Sequence, residues 1–114
     1  MMEHSLGLQE VHYNNMKQGM KIYEGRLNDE KRRLIQINDK IKVLKDPLRE
    51  EFFYVEVVNK LYFKSFEEMV NSLDLIKLGF KDKNKKEVID VYREFYDEEK
   101  ESRYGVVVLE ISLV

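Results

Sequence analysis

Two hydrophobic periods divide the chain. Residues 52–63, "FFYVEVVNKLYF", form a long aromatic and β-branched run that predicts a strand. Residues 104–114, "YGVVVLEISLV", are almost wholly apolar and predict a strand buried on both faces. Shorter alternating stretches predict further strands at 2–8 ("MEHSLGL"), after Gly19 ("KIYEGRL") and around the turn-like Asn38-Asp39 pair in "LIQINDKIKVLK". Pro47, in "KDPLRE", marks a turn before the long strand.

Helical spacing appears between these runs. Gln9 to Gln18 fits two to three turns, and Gly19 stands where a left-handed terminator is expected. Ser65 followed by Glu68, and Asn84 followed by Glu87, predict two helix starts of the capping-box type. Val88, Val91, Tyr92 and Phe95 make an apolar stripe at helical spacing and are assigned to the core. The acidic run from Asp97 to Glu101 reads as a solvated helix end.

Several of these strands follow one another without an intervening helix, so the expected class is α+β. A small sheet of about five to six strands closing toward a barrel, with two to three helices packed beside it, would cover the strand edges. Residues 1–114 carry no internal repeat and no interdomain linker, and are read as a single domain. A chain of this length removes roughly two-thirds of its unfolded surface on folding.

Composition adds two constraints. Charged residues make up 37% of the chain, above the usual share of about a quarter, and they are unevenly spread. Residues 16–49 hold ten Lys/Arg against five Asp/Glu, while residues 50–104 hold ten against fourteen. A basic segment can attract phosphates even where the whole chain has a net charge of −2; the same charges can also serve solubility alone. There are no cysteines, which excludes a disulfide framework and a thiolate metal site. His4 and His12 are too isolated to suggest a metal, and a structural role is expected for them. No cofactor signature, phosphate loop or nucleophile elbow is present. No signal-like N-terminus or long apolar run appears, so no membrane segment is expected and the cytoplasm is the expected compartment.

The stretch "GMKIYEGR" concentrates the candidate chemistry. Regular alternation would turn Tyr23, Gly25 and Leu27 toward the barrel and Glu24 and Arg26 away from it, with Lys21 opposite Glu24. Each charge has a plain alternative: Lys21 can ease a helix end, and Glu24 with Arg26 can be a surface ion pair. Gly19-x-Lys21-x-x-Glu24-x-Arg26 nevertheless resembles the motif of the ASCH domain, a PUA-like β-barrel family. "INDKIKV" is similar to that family's Ile-Gly-Asp-x-Ile-x-Phe segment, "FKSFEEM" to its helix after a strand, and "YGVVVLEI" to its closing strand, all in the family's order.

The resemblance implies a PUA-like α+β barrel that binds RNA or a nucleotide-like ligand in a cleft between barrel and helices. It makes Lys21, Glu24 and Arg26 candidate ligand-binding residues. Tyr104 is a candidate cleft wall, and Lys17, Lys31, Arg32 and Arg33 are candidate RNA phosphate contacts. One bacterial branch of the family is an amidohydrolase on acetylated cytidine nucleosides. It uses the motif lysine, a threonine three residues later and a distant glutamate. That reading would make Lys21 and Glu24 catalytic, but Glu24 stands at the threonine position and Asp74 is the nearest acidic counterpart of the glutamate. A protein-interaction module with an inert cleft is the third class. Asn38 replaces the glycine before Asp39, a change that a left-handed turn tolerates. Gly25 stands where the family has an apolar β-former, which suggests a bulge or a close backbone approach.

Overall fold

In a computed structural model describing residues 3–114, five strands form one curled sheet in the order β1-β3-β4-β5-β2. The strands are β1 (Glu3–Leu8), β2 (Tyr23–Leu27), β3 (Lys40–Lys45), β4 (Phe52–Phe63) and β5 (Val106–Leu113). The expected start of the first strand at Met2 lies outside the described residues. β1 runs parallel to β3, and every other neighbouring pair is antiparallel.

β4 is the spine of the sheet. Its first half pairs with β3, and most of its length pairs with β5. A register irregularity between Val57 and Asn59 lies where the β3 pairing ends. An extra residue at such a point bends the strand and increases its twist, which curls the sheet into a half-barrel. The edge strands β1 and β2 share no backbone ladder. A side chain spans the gap instead: Arg26 donates from Nη2 to the Gly7 carbonyl at 3.1 Å.

Among the described residues six helical segments flank the sheet, against two or three expected: α1 (Glu10–Lys17), α2 (Glu30–Arg33), α3 (Phe66–Ser72), α4 (Leu75–Leu78), α5 (Lys85–Phe95) and α6 (Glu98–Tyr104). The extra segments are short, and the four-residue α2 and α4 are too brief to leave a hydrophobic period. The caps explain their starts. Ser65 accepts from the Glu68 amide, Asn84 and Glu87 form a reciprocal box, and Asp74 accepts from Ile76 and Lys77. Gly19, with φ +85°, follows the last turn of α1 as the chain reverses.

The core divides between the two faces of the sheet. Inside the curl, Leu6, Ile41, Val43, Val55, Val107 and Leu109 pack with Tyr13 and Met16 of α1. Outside it, Leu27, Val106 and Val108 pack with Phe66, Met69, Val88 and Tyr92 of α3 and α5. Successive β5 residues therefore serve opposite layers, as expected of a strand buried on both faces.

The acidic run after α5 is not a solvated helix end. Asp97 caps a separate helix, α6, and Glu101 is buried. Its Oε2 accepts from the Phe66 amide at 2.6 Å, and its Oε1 lies 2.9 Å from Arg93 Nη1. One residue of that run is thus a tertiary staple between α3, α5 and α6.

Candidate functional site

A cavity of about 340 Å3 opens beside the gap between β1 and β2, bounded by α1, α2 and α5. Its floor is set by an irregular approach to β2. After Gly19 the amides of Met20 and Lys21 both bond to the Asn15 carbonyl, holding this stretch against the end of α1. The Ile22 amide then bonds to the Lys77 carbonyl, and regular strand begins only at Tyr23.

This irregularity overturns the expectation that Lys21 points away from Glu24. The Lys21 ammonium lies 3.0 Å from Glu24 Oε1 and is 2% exposed. It also donates to the Tyr23 and Leu78 carbonyls, each at 2.5 Å. Three acceptors call for three hydrogens, so the geometry suits the ammonium rather than the neutral amine. Burial pushes Lys21 down from its ordinary value, and the Glu24 charge opposes that shift. The helix end that Lys21 serves is that of α4, through Leu78, and not that of α1.

Glu24 is the centre of the floor. Its Oε2 accepts from Arg26 Nε at 2.7 Å while Oε1 faces Lys21. Burial would raise this carboxyl, but the Lys21 and Arg26 charges outweigh it and hold the group at about 2. It is therefore an ionised acceptor at neutral pH. Glu24 pairs in register with Leu109, and Arg26 with Val107, so both project to the inner face of the sheet. This corrects the expectation that the two point away from the barrel. Tyr23 and Leu27 face the helical layer instead. Alternation separates the faces of a strand without saying which lies inside, and here the helices bury the outer one.

Aromatic side chains continue the wall. Phe80 packs edge-on against both His12 (5.1 Å) and Tyr92 (5.9 Å), and Tyr92 stacks on Phe66 at 4.6 Å. The Tyr92 phenol is pushed up by burial and then by the Glu24 charge, so it stays protonated. His12 is pushed down by burial and by the Lys21 charge, and so is neutral at pH 7. Phe95, assigned to the core from its spacing, is 59% exposed and borders the cavity.

Two glycines make the close approaches possible. A Cβ at Gly25 would lie 2.7 Å from Met69 Sδ and 3.3 Å from the Tyr92 hydroxyl. The expected close backbone approach is present there, while the β2–β5 register runs through Gly25 without a bulge. A Cβ at Gly7 would collide with Arg49 Nη2 and lie under 3 Å from both Asp46 carboxylate oxygens.

Of the candidate residues, Lys21, Glu24, Arg26, Lys31 and Arg32 border the cavity. Tyr104, the candidate cleft wall, does not, and neither do Lys17 and Arg33, two of the candidate phosphate contacts. Tyr104 packs on the outer cluster with the Arg33 and Arg103 guanidinium groups near its ring. Arg33 donates to the Asn28 carbonyl, and the Lys17 ammonium sits 6.0 Å from the Tyr13 ring. Sequence reasoning missed His12, Phe80, Asp46 and Arg49. They come from elements far apart in the chain, and only Pro47, beside Asp46, signalled a turn. Asp74 caps α4 and is not on the cavity, so it offers no distant carboxylate there. His4, by contrast, takes the expected structural role, its Nε2 lying 2.9 Å from Asp39 Oδ2. Among the described residues no group of three or more His, Asp or Glu could hold a metal ion, and no helix is long and apolar enough to cross a membrane.

A curled five-stranded sheet with a cavity between its open edges and a flanking helix defines the PUA-like half-barrel class. The family model for the ASCH domain matches residues 6–114, and the chain belongs to that family. A crystal structure of hypothetical protein PH0355 is 38% identical, with a TM-score of 0.86 and coverage of 99% of this chain and 100% of that one. The solution NMR structure of protein PF0455 from Pyrococcus furiosus is 40% identical, with a TM-score of 0.78 over 99% and 98%. An ASCH domain from Lactobacillus crispatus shares the fold at 14% identity, with a TM-score of 0.66 over 97% of this chain and 79% of that one. Among curated proteins none matches the chain.

Proposed function

We propose that the cavity binds RNA or a nucleotide-like anion. The observation that carries this reading is the charge of its lining. Five lining cations, Lys21, Arg26, Lys31, Arg32 and Arg49, outnumber the two lining carboxylates, Glu24 and Asp46, and Asp29 offsets Arg32 from outside the cavity, which leaves a positive excess in a chain whose net charge is −2. Such an excess in a concave, partly desolvated site attracts anions, and the Phe80, Tyr92 and Phe95 rings beside it suit a planar base. Glu24 accepts from a base N–H, while Arg26 keeps donors beyond those given to Glu24 and Gly7. Membership in the ASCH family, whose resemblance implies an RNA or nucleotide-like ligand, supports the same reading.

The test is a titration with short single-stranded RNA and with nucleotides at two salt concentrations. Affinity should fall as salt rises. Lys31→Glu should weaken binding without unfolding the protein, because Lys31 is exposed and has no ion-pair partner among the described residues. Affinity indifferent to both salt and this reversal would overturn the reading.

One observation favours deacetylation of acetylcytidine-type nucleosides as a second reading: Lys21 and Glu24 are in contact and buried at the cavity floor. Against it, the Lys21 hydrogens are committed to three acceptors, and Glu24 at about 2 is a weak base. Incubation with acetylcytidine, followed by ultraviolet absorbance, decides this. An unchanged spectrum removes the hydrolase.

A further inference from the structure

The cavity is graded by depth, and the grading suggests what it holds. At its buried end lie Glu24, Phe80 and Tyr92, each no more than 7% exposed. At its open end lie the exposed Lys31, Arg49 and Phe95, with the partly buried Arg32 next to Lys31. Resting on the anion-binding reading above, we infer that the site holds one nucleotide at a time, with its base at the buried end and its phosphate at the mouth against Arg49. The ligand chemistry is a nucleoside monophosphate, either free or as the phosphorylated terminal nucleotide of a strand.

Arg49 carries the argument because three features converge on it. Its backbone has φ +58°, a left-handed conformation uncommon outside glycine and asparagine. Its Nε donates to Asp46 Oδ1 at 2.7 Å, which fixes the guanidinium and leaves both Nη groups clear of that bond. Its Nη2 occupies the space that a side chain at position 7 would take, so Gly7 makes room for it at the edge of β1. The turn between β3 and β4 thus delivers a planar, oriented donor to the mouth, a form suited to bidentate contact with a phosphate. Asp46 offsets part of this charge. Lys31 adds a cation with no ion-pair partner among the described residues, and Arg32 is held loosely, 3.5 Å from Asp29.

Size supports the single occupant. The volume of about 340 Å3 is near the low end of small-molecule pockets, roughly 300–1,000 Å3. Grooves that track a strand engage about 4–16 nucleotides. A stacked base with one ribose and one phosphate fills the site, and neighbouring nucleotides would lie outside it.

The experiment compares calorimetric titrations with a nucleoside, its monophosphate, and a short oligoribonucleotide with and without a terminal phosphate. The monophosphate should bind about tenfold more tightly than the nucleoside or better, the gain of charge-assisted phosphate contacts. Arg49→Ala should bring the monophosphate down to the nucleoside's affinity. A terminal phosphate that tightens the oligonucleotide equally would assign the site to strand ends, and one without effect would assign it to free monophosphates. Equal affinity for nucleoside and monophosphate would overturn the phosphate grip while leaving the proposed function standing. Tight oligonucleotide binding with indifference to monophosphates would overturn the single-nucleotide claim alone. No binding of any of these would overturn both.

Discussion

Two buried carboxylates, Glu24 and Glu101, do different work in this fold. Both are nearly inaccessible and both are ion-paired to an arginine. Glu101 is satisfied by one backbone amide and by Arg93, which is itself half-exposed, and it ties three helices together away from the cavity. Glu24 is shared between the buried Lys21 and the partly exposed Arg26 and stands at the cavity floor. The first arrangement is a neutral staple. The second leaves an excess of positive charge next to empty space. Burial of a carboxylate is therefore no guide to function by itself; the balance of charge around it, and what it faces, distinguish the two.

Removing each carboxylate is the strongest way to break the comparison. Glu24→Ala would leave Lys21 buried without a counter-charge and take the ion-pair partner from Arg26. Such losses cost about 3–5 kcal/mol. Glu101→Ala strands one buried amide and a partly solvated guanidinium, at a cost of about 1–3 kcal/mol. Urea unfolding of both variants measures the two losses, and ligand titration should find affinity unchanged in Glu101→Ala. If Glu101→Ala costs as much as Glu24→Ala, the contrast between staple and site fails.

Acid separates the two further. The Glu24 carboxyl is held at about 2, against an ordinary value of 4.5. A depressed carboxyl contributes stability that is complete above its unfolded value and is lost as pH falls through its folded value. Glu24 should therefore stabilise the protein fully above about pH 5 and progressively less down to about pH 2. Unfolding midpoints across that window should fall less steeply in Glu24→Gln than in the native chain. Parallel slopes would show that the floor network does not set this acid response.

Much of the fold was legible because its signals are local. The run 52–63 coincides with β4, Gly19 has the left-handed backbone expected of it, and the caps at Ser65 and Asn84 start α3 and α5. The motif residues Lys21, Glu24 and Arg26 could be singled out, but their arrangement could not. It depends on residues 20–22 being held against α1 and α4, a tertiary fact that alternation does not encode. The parallel pairing of β1 with β3 brings Gly7 alongside Leu44, next to the turn that bears Arg49, and no local pattern announces a parallel pair. Phe95 was misassigned for a related reason: a helical stripe shows which side chains share a face, not where the neighbouring layer ends. Glu101 was hidden in an acidic run whose other members are exposed.

The smallest expected effect tests the layer that joins the two regions. Gly25 lies between Glu24 and Arg26, with Met69 of α3 and Tyr92 of α5 packed over it. In Gly25→Ala the added methyl would meet Met69 Sδ at 2.7 Å. A methionine side chain is flexible enough to yield at its end, but here it is fully buried and must displace its neighbours. Overpacking of this kind costs about 1 kcal/mol or somewhat more, below either carboxylate deletion. The Tyr92 hydroxyl, 3.3 Å from the new atom, would move with it and narrow the buried end of the cavity. A modest loss in urea together with weaker nucleoside binding is therefore expected. Equal stability with unchanged binding would mean that α3 and α5 do not set the cavity wall, and that the floor network alone shapes the site.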